Sequence, residues 1–136
     1  MRILSVDYGD SRTGYAVSDP LGFGANTLPA CKEKGMQKVA DYTAALAREH
    51  QVELIILGYP RNMNGTVGPR GEKTKAFQEM LSGKVDVEVK LWDERLTTVS
   101  AHLLMNETNV RGKKRKESVD SISAAYLLQS YLDSIR

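Results

Sequence analysis

The chain has 136 residues, of which 41% are hydrophobic and 26% are charged, and its formal net charge is +2 at pH 7. A chain of this length and average composition forms about one globular domain, so we expect residues 1–136 to fold as a single unit. No apolar run approaches the roughly 18 residues of a membrane span, and no signal-peptide pattern opens the chain, so we expect a cytoplasmic protein. The lone cysteine, Cys31, excludes an internal disulfide and a cysteine-based zinc site.

The first half of the chain predicts three strands, a helix and a fourth strand. The first three are separated by short turn signals and form an antiparallel meander over residues 2–8, 13–18 and about 25–30. Apolar residues at helical spacing predict a helix over about 36–50. The nearly continuous apolar run 52–58 is typical of a strand that is buried on both faces.

The second half of the chain predicts a loop and then one strand among helices. Residues 59–66 are rich in turn formers and predict a loop at the carboxyl end of the fourth strand. The elements predicted after it are a helix over about 70–81, a strand over 85–92, and helices over about 98–106 and 118–134. This order combines a meander with two βαβ crossovers. It predicts an α/β fold, in which helices flank a five-stranded mixed sheet.

A carboxylate ends the first predicted strand. Asp7 is followed by Gly9 and Gly14, and glycines leave room for a ligand to approach the backbone. Strand alternation places Asp7 on the same face as the apolar Ile3, which is costly for a charge unless that charge is paired or metal-bound. An ordinary turn-forming aspartate is the simpler alternative.

Two further acids occur in comparable settings. Alternation sends Asp93 and Glu94 to opposite sides of the end of the fifth strand, and we favour Glu94 as the partner of Asp7 because its arm is longer. Asp93 would then orient Arg95 or cap the following helix. Asp120 is expected at the start of the last helix, half-buried beside its apolar stripe, where it would also suit the helix dipole. Three carboxylates from separate elements predict a Mg²⁺ or Mn²⁺ site, because hard cations prefer oxygen ligands, and they indicate phosphodiester chemistry.

Basic and amide side chains near these acids are candidates for contacts to nucleic acid. A basic segment, Lys113, Lys114, Arg115 and Lys116, precedes Asp120 and is either a solvated loop or a holder of phosphates against the acids. The remaining candidates for contacting a sugar-phosphate chain are Arg61, Asn62, Arg70 and Arg95.

Four motifs in this order resemble the YqgF family of RNase H-like nucleases, which are described as pre-16S rRNA nucleases and are related to Holliday junction resolvases. The motifs are Asp7-Tyr8-Gly9 with Gly14, Gly58 to Thr66, Asp93 to Thr98, and Val119 to Ala125. The resemblance implies an RNase H-like fold with strand order 3-2-1-4-5 and an acidic triad of Asp7, Glu94 and Asp120. Here the fourth strand ends at Gly58 without an acid, so the fifth strand must supply one. Tyr15 stands where smaller aliphatic residues are more usual.

These features together predict a metal-dependent endonuclease whose carboxylates hold one or two Mg²⁺ or Mn²⁺ ions. The resemblance implies that the substrate is the 5′ end of precursor 16S rRNA. One alternative keeps the chemistry but resolves four-way DNA junctions, which requires two active sites and therefore a homodimer rather than a monomer. A second alternative is a non-catalytic nucleic-acid-binding or transcription-associated factor. An actin-like ATPase is excluded by size, because that fold clamps its nucleotide between two domains and this chain is long enough for only one.

Overall fold

The computed structural model of the protein describes residues 1–21, 24–59, 68–93 and 112–135, and within the last range it describes side chains from residue 121 onward. Its strands are β1 (Ile3–Asp7), β2 (Thr13–Ser18), β3 (Ala25–Cys31), β4 (Leu54–Tyr59) and β5 (Glu88–Asp93). Its helices are α1 (Met36–Glu49), α2 (Pro69–Ser82) and α3 (Gly112–Ser134). The strands form one sheet in the order β3-β2-β1-β4-β5, which confirms the predicted mixed sheet and its strand order.

The strand directions bring several strand ends to one edge of the sheet. β1 pairs antiparallel with β2, and β2 pairs antiparallel with β3. β1 is parallel to β4, and β4 is parallel to β5. Consequently β1, β3, β4 and β5 all end at the same edge, and β2 begins there. We call this the carboxyl edge; ligands of open α/β sheets commonly bind outside such strand ends.

Helices cover both faces of the sheet. On one face, α1 and α2 pack on β1 and β4 through a cluster that includes Leu4, Val6, Leu57 and Phe77. The other face packs on α3 through a second cluster that includes Ile3, Ala16, Ile56, Ala124 and Leu128. Every residue of β4 is buried, which explains why its sequence is a continuous apolar run rather than an alternating one.

The last helix begins earlier than the sequence predicts. α3 starts at Gly112 rather than at residue 118, so the basic segment Lys113 to Lys116 lies in helical backbone and its assignment to a loop is wrong. Asp120 therefore lies about two turns inside the helix, and its expected first-turn position is also wrong. The cause is that the apolar stripe begins only near Val119, whereas lysine and arginine extend a helix without apolar periodicity. In the described part of the chain no helix, α3 included, has both the length and the apolar character needed to cross a bilayer.

Other boundaries differ by a few residues. Tyr59 is the last residue of β4 and is buried, although the sequence places it in a loop. β5 begins at Glu88 rather than at residue 85. The remainder of the predicted loop after β4 and the predicted helix over 98–106 lie outside the described residues.

Candidate active site

Asp7 is the last residue of β1 and lies half-buried at the carboxyl edge, paired with Gly14 of β2. The two residues that share its side of the strand both pack towards α3: Ile3 belongs to the apolar cluster beneath that helix, and Ser5 contacts its backbone. The predicted alternation of β1 is thus confirmed for Ile3 and Ser5. The same alternation assigns Asp7 to the α3 face of the sheet.

The position of α3 is fixed by two buried serines. The hydroxyl of Ser5 donates to the backbone carbonyl of Ala124 at 2.5 Å. One turn earlier in the helix, the hydroxyl of Ser121 accepts from the backbone N–H of Tyr15 at 3.1 Å and donates to the carbonyl of Leu28 at 2.5 Å. Sequence analysis missed both serines as positioning residues. The available signal was a small polar residue standing between Leu4 and Val6 in an otherwise apolar strand.

These contacts define which end of α3 lies nearer the carboxyl edge. From Ser5 to Asp7 the strand advances by two residues, which is about 6.6 Å towards the carboxyl edge. From Ala124 to Ser121 the helix passes from β1 to β2 and β3, and it moves towards the carboxyl edge by about one residue, because Tyr15 pairs with Val6 whereas Ala16 pairs with Ser5. The backbone of residue 120 continues in that direction on the face of the sheet to which Asp7 is assigned, whereas the Asp120 side chain lies outside the described residues.

The pairing of β5 with β4 determines which face its last residues occupy. Gly58 of β4 pairs with Trp92, and Tyr59 pairs with Asp93. The ring of Trp92 lies on the α3 face, edge-on to Tyr131 with ring centroids 5.2 Å apart, while Leu91 packs on the opposite cluster. Alternation then turns Asp93 towards the face covered by α1 and α2. Glu94 and Arg95 lie outside the described residues.

The turn that follows Asp7 is held by α2. The ring of Tyr8 stacks on Phe77 with centroids 4.3 Å apart, and an Nη2 atom of Arg70 donates to the Tyr8 carbonyl at 3.1 Å. Burial, followed by the nearby charge of Asp10, raises the pKa of the Tyr8 phenol. A methyl group added at Gly9 would overlap the carbonyl oxygen of Arg12, so this turn requires glycine. Arg70 itself is exposed and sits beside the end of β1.

The predicted site residues fall into two groups. Asp7, Gly9, Gly14 and Arg70 meet at the end of β1, and the backbones of Asp120 and of the basic segment belong to the part of α3 that precedes Ser121. Arg61, Asn62, Glu94 and Arg95 lie outside the described residues. Within the described ranges no three His, Cys, Asp or Glu side chains cluster closely enough to hold a metal. Of the three predicted ligands, those ranges include only the side chain of Asp7.

Sequence comparison identifies close relatives along the full chain. The family model described as "RuvX: Holliday junction resolvase" matches residues 1–134. A protein from Clostridium novyi is 50% identical over 135 residues, which are 99% of this chain and 100% of the relative. One from Ruminiclostridium cellulolyticum is 48% identical over 136 residues, covering 99% of this chain and 96% of the relative. Both carry the name "Putative pre-16S rRNA nuclease".

Solved structures show the same fold at low sequence identity. RuvC of Thermus thermophilus superposes with a TM-score of 0.67 at 10% identity, covering 98% of this chain and 96% of RuvC. The fowlpox virus resolvase in complex with Holliday junction DNA gives a TM-score of 0.61 at 16% identity, covering 99% of both chains. The fold is thus that of the RuvC-like, RNase H-fold resolvases. With the family match and the curated relatives, the resemblance read from the four motifs is confirmed, and the chain belongs to the RuvX/YqgF family.

Proposed function

We propose that this protein is a metal-dependent endonuclease that hydrolyses phosphodiester bonds at the 5′ end of precursor 16S rRNA during ribosome biogenesis in the cytoplasm. The observation that carries this proposal is that β1 and β5 end at the same edge of the sheet and that α3, which contains position 120, covers the face to which Asp7 is assigned. The names of the curated relatives support rRNA as the substrate.

The catalytic acids in this proposal are Asp7, Glu94 and Asp120. Asp7 ends β1 on the α3 face, and Asp120 belongs to the helix that covers that face. The face occupied by Trp92 favours Glu94 over Asp93 as the third acid. Strand alternation in the sequence predicts that Asp93 and Glu94 lie on opposite sides, and Asp93 is turned away from α3, so Glu94 is the better partner for Asp7.

The donor set of the proposed site fits Mg²⁺ or Mn²⁺. Its side chains are carboxylates, the ligands that hard cations prefer, and the one cysteine of the chain, Cys31, is buried in the cluster on the opposite face of the sheet. Asp7, Glu94 and Asp120 would hold the metal. When bound, it would supply a water-derived nucleophile and electrostatic stabilisation of the leaving oxygen.

The other residues of the proposed site bind and orient the substrate. Arg70 uses one N–H to hold the Tyr8 carbonyl, and a guanidinium has further donors that can contact a phosphate. The basic segment of α3 and the residues Arg61, Asn62 and Arg95 would contact the sugar-phosphate backbone. Such contacts fix the register of the strand and read little sequence.

A second candidate function is the resolution of four-way DNA junctions. It is favoured by the description of the family model and by the fold shared with RuvC and the fowlpox virus resolvase. Symmetric resolution needs two active sites, so it requires a homodimer, whereas rRNA trimming can be performed by a monomer. A non-catalytic nucleic-acid-binding role is the third candidate.

The three candidates are separated by incubating the purified protein with labelled precursor rRNA and with labelled four-way junctions, side by side. Each reaction is run with Mg²⁺ and with EDTA, and Asp7→Asn is the matched inactive control. We expect Mg²⁺-dependent cleavage of the rRNA. Preferential cleavage of the junction would favour the resolvase, and binding of either substrate without cleavage would favour the non-catalytic role.

A further inference from the structure

The end of β3 and the start of α1 lie at the same edge of the sheet as Asp7. Asp7 pairs with Gly14 at the start of β2, and Thr13, the residue before Gly14, pairs with Cys31 at the end of β3. The chain leaving β3 passes through residues 32–35 and enters α1 at Met36. Residues 32–38 therefore form the part of the carboxyl edge that lies beyond β2, on the opposite side of Asp7 from β4.

This part of the edge is basic. Between Cys31 and Ala40 the chain carries three lysines and one acid, Glu33. We call Lys32, Lys34 and Lys38 the lysine rim. All three are exposed, and the salt bridges found among the described residues join other lysines, Lys73 to Asp10 and Lys84 to Asp41. Hence the rim charges are available to a ligand.

The start of α1 adds to the positive potential of the rim. Its first turn contains no acidic residue, and its N-cap, Gly35, offers no side chain to the free backbone N–H groups. Such a helix start carries a partial positive charge and suits anionic groups. The far end of the same helix differs, because acids at Glu49 and Glu53 accompany Arg48 there. Along α1, the positive charge is thus concentrated at the end that lies at the edge of Asp7.

We propose that the lysine rim is a second nucleic-acid contact, which binds backbone phosphates of the substrate on one side of the cleaved bond. This inference rests on the proposed nuclease function for the position of the cleaved bond. Two strand spacings separate β1 from β3, and α1 packs on the face of the sheet opposite α3, so the rim lies at least about 10 Å from the strand that carries Asp7. At about 3.4 Å per nucleotide along a duplex strand, that distance corresponds to at least about three nucleotides. The rim therefore recognises flanking substrate rather than the reacting phosphate.

The rim is tested by binding, with charge-matched variants. Lys34→Gln/Lys38→Gln removes two positive charges at the start of α1, and Arg48→Gln/Lys84→Gln removes two at the opposite edge of the sheet. Affinity for fluorescein-labelled precursor rRNA and four-way DNA is measured in EDTA over a range of salt concentrations. We expect the rim variant to bind about ten-fold more weakly at low salt, with a salt slope lower by about two units. The control variant should bind like the wild type.

Substrate length locates the contact. Two shortened substrates are compared, each with only two nucleotides left on one side of the cleavage position. When the side that contacts the rim is shortened, the rim variant should bind as tightly as the wild type. When the other side is shortened, the affinity of the rim variant should remain lower than that of the wild type. An equal loss of affinity in both charge variants, or no loss of affinity in the rim variant, would overturn the proposed contact at the lysine rim.

The binding and cleavage outcomes separate the rim from the nuclease. Weaker binding by the rim variant together with an absence of cleavage by the wild type would leave the rim in place and overturn the nuclease. Failure of the wild type to bind either nucleic acid would overturn both. Unfolding temperatures measured for both variants verify that the fold is intact. We expect no change for the exposed lysines of the rim and only a small change for the control, in which the pair between Lys84 and Asp41 is lost.

Discussion

The hydroxyl of Ser5 donates to the carbonyl of Ala124 at 2.5 Å, and this buried hydrogen bond joins the strand that ends in Asp7 to the helix that contains Asp120. Both residues are fully buried, so the helix rests directly on the strand at this point. Asp7 lies two residues beyond Ser5 towards the carboxyl edge, and position 120 lies on the side of Ala124 from which the helix approaches the same edge. A small residue at position 5 is what permits this close approach.

The choice between the two acids at the end of β5 gives the first prediction. Glu94→Gln should reduce the cleavage rate by more than about 100-fold, because the loss of a metal ligand should reduce activity more than the loss of a residue that only orients a ligand. Asp93→Asn should keep most of the activity, since Asp93 is turned towards the face away from α3. The measurement is single-turnover cleavage in Mg²⁺. An active Glu94→Gln protein with an inactive Asp93→Asn protein would show that the assignment is reversed.

The turn after Asp7 should be intolerant of a side chain. Gly9→Ala places a methyl group against the Arg12 carbonyl, and we expect a loss of about 1–3 kcal/mol in the free energy of unfolding together with reduced cleavage. Gly83→Ala is the control, because a methyl group there meets the nearest atom, the Met80 carbonyl oxygen, at 3.6 Å, an ordinary contact distance. Urea denaturation compares the two. Equal stability of both variants would contradict the steric requirement at Gly9.

The basic segment at the start of α3 should act on binding rather than on folding. Replacing Lys113, Lys114, Arg115 and Lys116 with alanine should weaken binding to many sequences to a similar extent and reduce the salt slope by about one unit per lost contact. Cleavage per bound complex should change less. Because cations are unfavourable near a helix N-terminus and alanine is a strong helix former, the unfolding temperature should stay equal or rise slightly. Unchanged affinity and salt slope would mean that the substrate enters by another surface.

A buried hydroxyl pair gives a pH prediction. Tyr15 is fully buried, and its hydroxyl lies 2.7 Å from that of Thr43; burial raises the pKa of the Tyr15 phenol. The unfolded phenol ionises near pH 10 while the folded one keeps its proton, so the stability that Tyr15 contributes is present below about pH 10 and is lost as the pH rises above it.

Tyr15→Phe should therefore cost about 1 kcal/mol at pH 7, where a hydrogen bond is lost, and should reduce the loss of stability between pH 9 and pH 11. The hydroxyl of Thr43 keeps its bond to the Val39 carbonyl in this variant. Denaturant unfolding at the three pH values tests the prediction. An alkaline loss as steep as that of the wild type would assign the effect to other groups, such as Tyr8 and Tyr42, whose pKa values burial also raises.

The sequence predicted the sheet well because its strands carry clear periodic signals. β1 alternates between two buried faces and β4 is apolar throughout, so both strands follow from pattern alone, whereas the strand order was implied by the family resemblance. The start of α3 was missed because the charged residues after Gly112 are good helix formers without an apolar stripe. Local pattern also gave no sign that Tyr15 would meet Thr43 or that Ser121 would join β2 to β3, since those partners are distant in sequence.

The candidate site was predicted in outline for a related reason. Asp7 could be predicted from its strand end and glycine turn, but the place where α3 rests on the sheet depends on the Ser5 contact, which only the packed helix provides. The lysine rim was overlooked because Lys32, Lys34 and Lys38 are far from Asp7 in sequence. The antiparallel pairing of β2 with both β1 and β3 brings these lysines to the edge of the sheet where Asp7 lies.

The most direct test of the proposed metal site is the unfolding temperature and cleavage rate of Asp7→Asn, each measured with and without Mn²⁺. Without metal the variant should be as stable as the wild type or more stable, because removing one of several clustered carboxylates relieves their repulsion. Added Mn²⁺ should raise the unfolding temperature of the wild type, since a ligand of the folded state stabilises it, and should leave the variant unchanged and inactive. Full cleavage by Asp7→Asn, or an equal rise in unfolding temperature in both proteins, would contradict the account.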